Sequence, residues 1–356
     1  MLRLFLCGVC VIGLTSCRSV GPRTVPRDRF DYASSITESW KRQTLLNIVK
    51  VRYIDPPAFV DIGNIVAGYS LETGANVGGQ LSSSGAIQGD SLVLGGAVRF
   101  IDRPTITYVP LTGNRFVKSL MTPIPPESLF WAIQSAWRAD TIFQLGVSRV
   151  NGLRNEEISL GGYTAPDPEF LRVTQLLRQI QLDGAVGMRL IQNTNQPGMR
   201  IVTLRTQGVA EETVNRITEL RRLLGLDPQA TEFNLVYGGV ASNSTEISVT
   251  TRSLFHINQS LAMRTEVPEE DIQEGRTVPG IVQNEDTLEG SASPLIRCGA
   301  SKPEDAFVAV NYRDHWFWID DRDLRAKRAL NLMMLLFTLA DTGDREGQPI
   351  VTIPAL

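Results

Sequence analysis

The chain has 356 residues, 42% of them hydrophobic and 21% charged, with a formal net charge of -3. That balance supplies a sizeable core and excludes a disordered acidic tail, a collagen-like fibre and a strongly basic nucleic-acid binder. Length predicts two or three structural units, and four Cys with two His leave little material for metal or thiol chemistry.

Met1-Leu2-Arg3 precedes an apolar run from Leu4 to Leu14, followed by Thr15-Ser16-Cys17. One positive charge, a short apolar stretch and small residues at its end make a secretory signal. The run is well below the roughly 20 apolar residues that a spanning helix needs. Leu14-Thr15-Ser16-Cys17 resembles the lipobox of bacterial lipoproteins. The resemblance covers only these residues. It implies a signal peptide over 1–16, cleavage between Ser16 and Cys17, and acyl chains such as palmitate on Cys17. Several acyl chains hold firmly, at about 0.8 kcal/mol per buried CH₂. Arg18 follows the Cys where the enterobacterial sorting pattern would place Asp for inner-membrane retention. The resemblance therefore implies the outer membrane of the cell envelope, facing the periplasm, with the inner membrane left open. Cleavage would discard Cys7 and Cys10 and leave Cys298 as the lone thiol, so no intrachain disulfide is expected. Losing 16 of 356 residues leaves 340, and losing Arg3 takes the net charge from -3 to -4.

Residues 17–33 read as the lipidated Cys and a tether, with Arg18, Arg23, Arg27 and Arg29 against Asp28, and with Pro22 and Pro26. Ser34 or Ser35 is positioned to cap a helix running to about Tyr53, ended by Asp55-Pro56-Pro57. From Phe59 to Pro110, period-two alternation predicts a long β-hairpin or two consecutive hairpins. Ser82-Ser83-Ser84-Gly85 reads as its tip and Gln88-Gly89-Asp90 as a turn. Pro123, Pro125 and Pro126 introduce a helix with Trp131 and Trp137. Helices over Glu169–Leu182 and Ala210–Leu224 alternate with strands over Val186–Gln192, Met199–Arg205 and Phe233–Tyr237. Gly225 ends the second of these helices. Phe233–Tyr237 and Glu246–Thr250 are expected to pair as a hairpin across Gly238-Gly239, and a helix follows over Ser253–Arg264. Residues 266–305 read as a long acidic loop. Phe307–Asn311 and His315–Ile319 form a hairpin around Arg313-Asp314, Asp320 or Asp321 caps a helix through Leu339, and Ile350–Ile353 reads as a last strand. The expected architecture is an α+β fold of two-layer helix/sheet character, with a long hairpin region and a buried C-terminal helix. Its divisions would be 34–138, 139–265, the acidic loop and 306–356.

The densest polar cluster is Asp314, His315, Asp320, Asp321 and Asp323, with Arg322. Two carboxylates and a His in one cleft would suit acid–base chemistry, as in a periplasmic enzyme. Yet each acid also has a local backbone task as a turn or cap residue, which favours structure over catalysis. Trp316 and Trp318 share a strand face and are expected to pack. No metal ligand set with zinc or calcium spacing occurs, no Gly-x-Ser-x-Gly elbow or phosphate loop is present, and Cys298 lacks a nearby His in sequence. No catalytic residue, cofactor or metal is therefore expected, and no nucleic-acid partner.

Assembly is the remaining reading. Both arms of the 59–110 hairpin exceed the roughly 9 to 11 residues of a transmembrane strand. One hairpin per subunit could build a shared barrel, as in some lipoprotein secretion channels, but Glu72, Arg99, Asp102 and Arg103 weigh toward a soluble hairpin. The helix-strand-strand-helix-strand order over Glu169–Tyr237 resembles the ring-building modules of some envelope secretion lipoproteins in topology only. The expectation is a lipid-anchored envelope protein, bound to the membrane through Cys17, with a non-catalytic structural or accessory role and protein partners or further copies of itself. A ring- or pore-forming subunit of an export complex is the alternative.

Overall fold

The computed structural model describes residues 25–66, 68–80, 91–159, 162–193, 196–280 and 295–340. Cys17 and Ser16, the hairpin tip 82–90 and the strand expected at 350–353 lie outside them. The chain is α+β, as its sequence pattern implies, and divides into two compact units. One unit holds the described residues up to Ser39 together with 60–110; the other holds 40–59 and everything from Leu111 onward.

The first unit contains the start of helix α1 (Val25–Arg52) and four strands. Residues 25–33, expected as tether, are helical: Pro26 sits in the first turn, where its missing N–H costs nothing. Neither Ser34 nor Ser35 is a cap, because the helix already runs through both. Strands β1 (Val60–Val66) and β4 (Thr105–Pro110) pair antiparallel around a bulge near Gly63. Between them, β2 (Tyr69–Gln80) and β3 (Ser91–Asp102) pair antiparallel without a register shift, from Tyr69↔Asp102 to Gln80↔Ser91. Arg103 N–H donates to the Gly68 carbonyl at 2.9 Å where the two ladders meet. These are the nested pairs of one long hairpin, and no third strand joins either pair among the described residues.

The second unit is built on one continuous core, which runs from Leu45 through Phe143, Phe170 and Phe233 to Leu336. Helices α2 (Gly113–Met121), α3 (Pro126–Gln134) and α4 (Ala139–Gly146) lead into β5 (Val147–Val150) and β6 (Leu153–Arg154). Asn151-Gly152 turns that hairpin, with both residues at positive φ; Asn-Gly suits such a turn because both tolerate the left-handed region. After the small hairpin β7 (Glu157–Ser159) and β8 (Gly162–Thr164) come α5 (Pro168–Leu182), β9 (Val186–Asn193), β10 (Gln196–Leu204), α6 (Glu211–Leu224), β11 (Glu232–Tyr237) and β12 (Glu246–Thr251). Gly225 closes α6 at φ 63°, the left-handed position that glycine takes without a Cβ clash. The six-stranded sheet has the order β6-β5-β12-β11-β10-β9. Val202 lies opposite Phe233, Leu235 opposite Ile247 and Val249 opposite Val150, and all six are buried. This stripe faces the helical layer, as period-two strands with one dry face require.

β11 and β12 are parallel, not the hairpin expected across Gly238-Gly239. Eight residues, 238–245, separate them. At about 3.3 Å each they reach roughly 26 Å, enough to return along a six-residue strand of roughly 20 Å. The glycines open this return instead of closing a tight turn: a Cβ on Gly238 would meet Ser248 Oγ at 2.9 Å.

Helix α7 (Leu254–Ala262) is capped by Ser253, whose Oγ accepts from His256 N–H at 3.2 Å. The stretch expected as acidic loop contains α8 (Glu269–Gln273) and β13 (Arg297–Gly299). β13 joins β15 (His315–Asp320) and β14 (Ala306–Tyr312) in a three-stranded sheet. Arg313 and Asp314 turn the β14–β15 hairpin as expected, both at positive φ. Helix α9 (Leu324–Ala340) starts on Asp323, whose Oδ1 accepts from Arg325 N–H at 3.0 Å and Ala326 N–H at 2.9 Å. Asp320 and Asp321, proposed from sequence as the cap, lie too far upstream. Leu330, Leu332, Met333, Met334 and Leu336 of α9 are buried in the common core. Residues 139–265 and 306–340 lie in the same compact unit.

Candidate functional site

The polar cluster picked out from sequence does not converge. His315 opens β15 and Asp320 closes it, so five rises place them roughly 17 Å apart. Asp320 Oδ1 accepts from Arg322 N–H at 2.8 Å, Asp321 takes the Lys327 ammonium at 2.7 Å, and Asp323 caps α9. Each acid thus holds a local partner. His315 Nδ1 lies 3.0 Å from the Arg313 carbonyl, next to Asp314 in the turn. Trp316 and Trp318 pack on the half-buried side of β15: the Lys302 ammonium lies 5.6 Å from the Trp316 ring, and Gly299 leaves room for Trp318.

Burial raises the Cys298 thiol to about 11, helped by the nearby carboxylates of Glu266 and Asp271. The thiol is protonated at neutral pH and is a poor nucleophile. Burial lowers His256, and the charge of Arg252 pushes the same way. Among the described residues no cluster of three His, Cys, Asp or Glu is placed to hold a metal.

The strongest polar anchors are residues that sequence reasoning passed over. Arg52, 1% exposed, ends α1 and donates to Thr277 Oγ1 at 2.7 Å, the Val278 carbonyl at 2.7 Å and the Thr265 carbonyl at 3.3 Å. Beside it, Tyr53 OH donates to Asp271 Oδ2 at 2.6 Å. Burial, then this carboxylate, raise the Tyr53 phenol far above its ordinary value. Together these bonds fasten 265–278 to α1. Asp55 accepts from Tyr312 OH and, at 3.2 Å, from Arg313; the Tyr312 bond is the main reason its carboxyl lies below the ordinary range. Arg252 reaches the carbonyls of Gln144 and Glu156, and Arg264 pairs with Glu156 at 2.5 Å. All of these residues join segments far apart in sequence, so spacing alone carries no signal for them. Asn151, which donates to the Leu224 carbonyl at 2.7 Å and accepts from Ser248 N–H at 2.7 Å, also joins distant segments, but its Asn-Gly pair advertises the turn.

What remains is the β2–β3 ribbon. Its register separates two faces. Leu71↔Phe100, Thr73↔Val98, Val77↔Leu94 and Gly79↔Leu92 occupy one; Ser70↔Ile101, Glu72↔Arg99, Gly74↔Ala97, Asn76↔Gly95 and Gly78↔Val93 occupy the other. Glu72 and Arg99 form a 4.0 Å ion pair, and described positions on their face, from 72 to 78 and from 95 to 99, are exposed. Two of the four charges that weighed against membrane contact, Glu72 and Arg99, therefore sit on the face away from Leu71, Val77, Leu94 and Phe100. Asp102 shares the apolar face but lies at its base, opposite Tyr69.

No family model, curated protein or solved structure matches this chain. Among the described residues no helix is long and apolar enough to cross a membrane.

Proposed function

We propose that the chain is a lipid-anchored protein of the bacterial cell envelope, held through Cys17, with a non-catalytic structural or accessory role in a protein assembly. The lipobox-like Leu14-Thr15-Ser16-Cys17 and the following Arg18 support the anchor and an outer-membrane address facing the periplasm. One observation carries the assembly role: a long two-stranded ribbon has both edges unpaired among the described residues, and none of its residues whose burial is described belongs to the core. Two strands alone are marginal in water, and open edges invite pairing with another chain. A ribbon of this length fits a part whose other contacts lie outside the chain. The local bonds of Asp320, Asp321 and Asp323 support a structural use of the polar cluster over the enzyme reading.

The test has two arms. Cys17→Ala should move the protein from the membrane fraction to the soluble one; retention would defeat the anchor. A photo-crosslinker at position 76 in native membranes should give discrete higher-mass adducts, and uncrosslinked chain alone would defeat the assembly role.

A further inference from the structure

We propose that the β2–β3 ribbon, 69–80 paired with 91–102, crosses a lipid bilayer as one stave of a β-barrel, closed by the same ribbon from further copies of this chain. This rests on the assembly reading above and names the partner: a second copy, with lipid covering the apolar face.

The first argument is the alternation. Membrane strands carry apolar residues outward and polar or small residues toward the lumen. The β2–β3 register runs without a shift and keeps that order over most of the ladder, with Val93 and Ile101 the apolar exceptions on the polar side. Glu72, Arg99 and Asn76, with the small residues Gly74, Gly78 and Ala97 and the apolar Val93 and Ile101, would face the lumen. Both members of the ion pair then stay out of lipid, paired with each other.

Length gives the second argument. From Tyr69 to Gly79 the apolar face advances ten residues, about 34 Å along the strand. Tilted by about 40°, as barrel strands are, it spans about 26 Å, against an apolar band of about 25 Å in such proteins. Tyr69 marks the base of the band, where interfacial aromatics sit, and Gln80↔Ser91 ends the ladder on polar residues.

Edges supply the third. In an antiparallel pair about half of each strand's N–H and C=O groups point away from the partner. Hydrocarbon offers them no hydrogen bonds, so a lone ribbon cannot remain in the bilayer and only closure satisfies both edges. An identical ribbon is self-complementary in length and alternation. The smallest membrane barrels have about 8 strands, so closure takes at least about four copies.

The experiment uses the full-length protein reconstituted in phosphatidylethanolamine/phosphatidylglycerol vesicles. Single cysteines at Ala75→Cys, Val77→Cys and Gly79→Cys, and at Gly74→Cys, Asn76→Cys and Gly78→Cys, are placed in a Cys298→Ser background and labelled with an environment-sensitive dye. Nitroxide on the lipid acyl chains should quench the odd set at least about threefold more than the even set, and a bifunctional thiol reagent on Asn76→Cys should give a ladder of this chain's multiples up to four or more. Tryptophan fluorescence checks that each variant keeps a folded body. Lipid quenching without the ladder overturns the barrel. The ladder without lipid quenching overturns membrane insertion and leaves the assembly reading standing. Loss of both, in a folded body, defeats the two together.

Discussion

Replacing residues 69–102 by a Gly-Ser-Gly link should leave the main body as stable as before, or slightly more so. The outer β1–β4 ladder remains, and Gly68 and Arg103 already meet through a 2.9 Å hydrogen bond, so a short link bridges them without strain. No residue of 60–110 whose burial is described belongs to the buried core. The loop-closure difference between about 34 and about 3 residues is (3/2)RT ln(34/3), about 2 kcal/mol in favour of the deletion, and less where the ribbon keeps structure after the body unfolds. The expected change therefore lies between zero and a gain of about 2 kcal/mol. All five tryptophans, Trp40, Trp131, Trp137, Trp316 and Trp318, lie in the body, so the urea midpoint of intrinsic fluorescence reads it alone. A loss above about 1 kcal/mol, well beyond a neutral surface change, would refute the division into two units.

Three further outcomes follow from the body itself. Tyr53→Phe leaves the buried Asp271 carboxylate without its phenol donor and should cost about 1.5–3 kcal/mol in urea unfolding; an unchanged midpoint would show that the Tyr53–Asp271 bond does not help to hold 265–278. Ile54 follows α1 at φ 61° with its side chain 61% exposed, a conformation that a β-branched residue resists. Ile54→Gly should therefore gain about 1 kcal/mol, and a destabilised variant would contradict that backbone. Asp55 titrates below its ordinary range in the folded chain, so its contribution is present above that range and is lost as pH falls through the lowered value. Asp55→Asn should narrow its stability gap to the wild type as pH drops from 5 toward 3, and parallel curves would argue against the Tyr312–Asp55–Arg313 contact.

Local signals were legible where the deciding partners are close in sequence. Glu169–Leu182, Ala210–Leu224 with Gly225, and the Arg313-Asp314 turn stand nearly where periodicity and capping place them. The hairpin of 59–110 was legible too, because strict alternation needs no distant partner. Its two faces emerged only from the register, which decides that Glu72 and Arg99 share a side. Distant partners hid the rest. Asp271 looks like one more acid in an acidic stretch until Tyr53, 218 residues away, is beside it. The parallel pairing of β11 and β12 was masked by Gly238-Gly239, a turn signal that opens a longer return. At α9 three aspartates compete for one cap, and only the backbone path selects Asp323. The candidate site was half legible: the ribbon was visible, but the convergence imagined for His315 and Asp320 was lost because one strand holds them at opposite ends.

The most direct test of an assembly role for the ribbon is the mass of the detergent-extracted protein with and without residues 69–102, measured by light scattering at matched detergent load. The account predicts at least about four chains for the full-length protein and one chain for the deletion, with the same tryptophan unfolding midpoint. A full-length protein at the mass of one chain, or a deletion that keeps the full assembly mass, would contradict it.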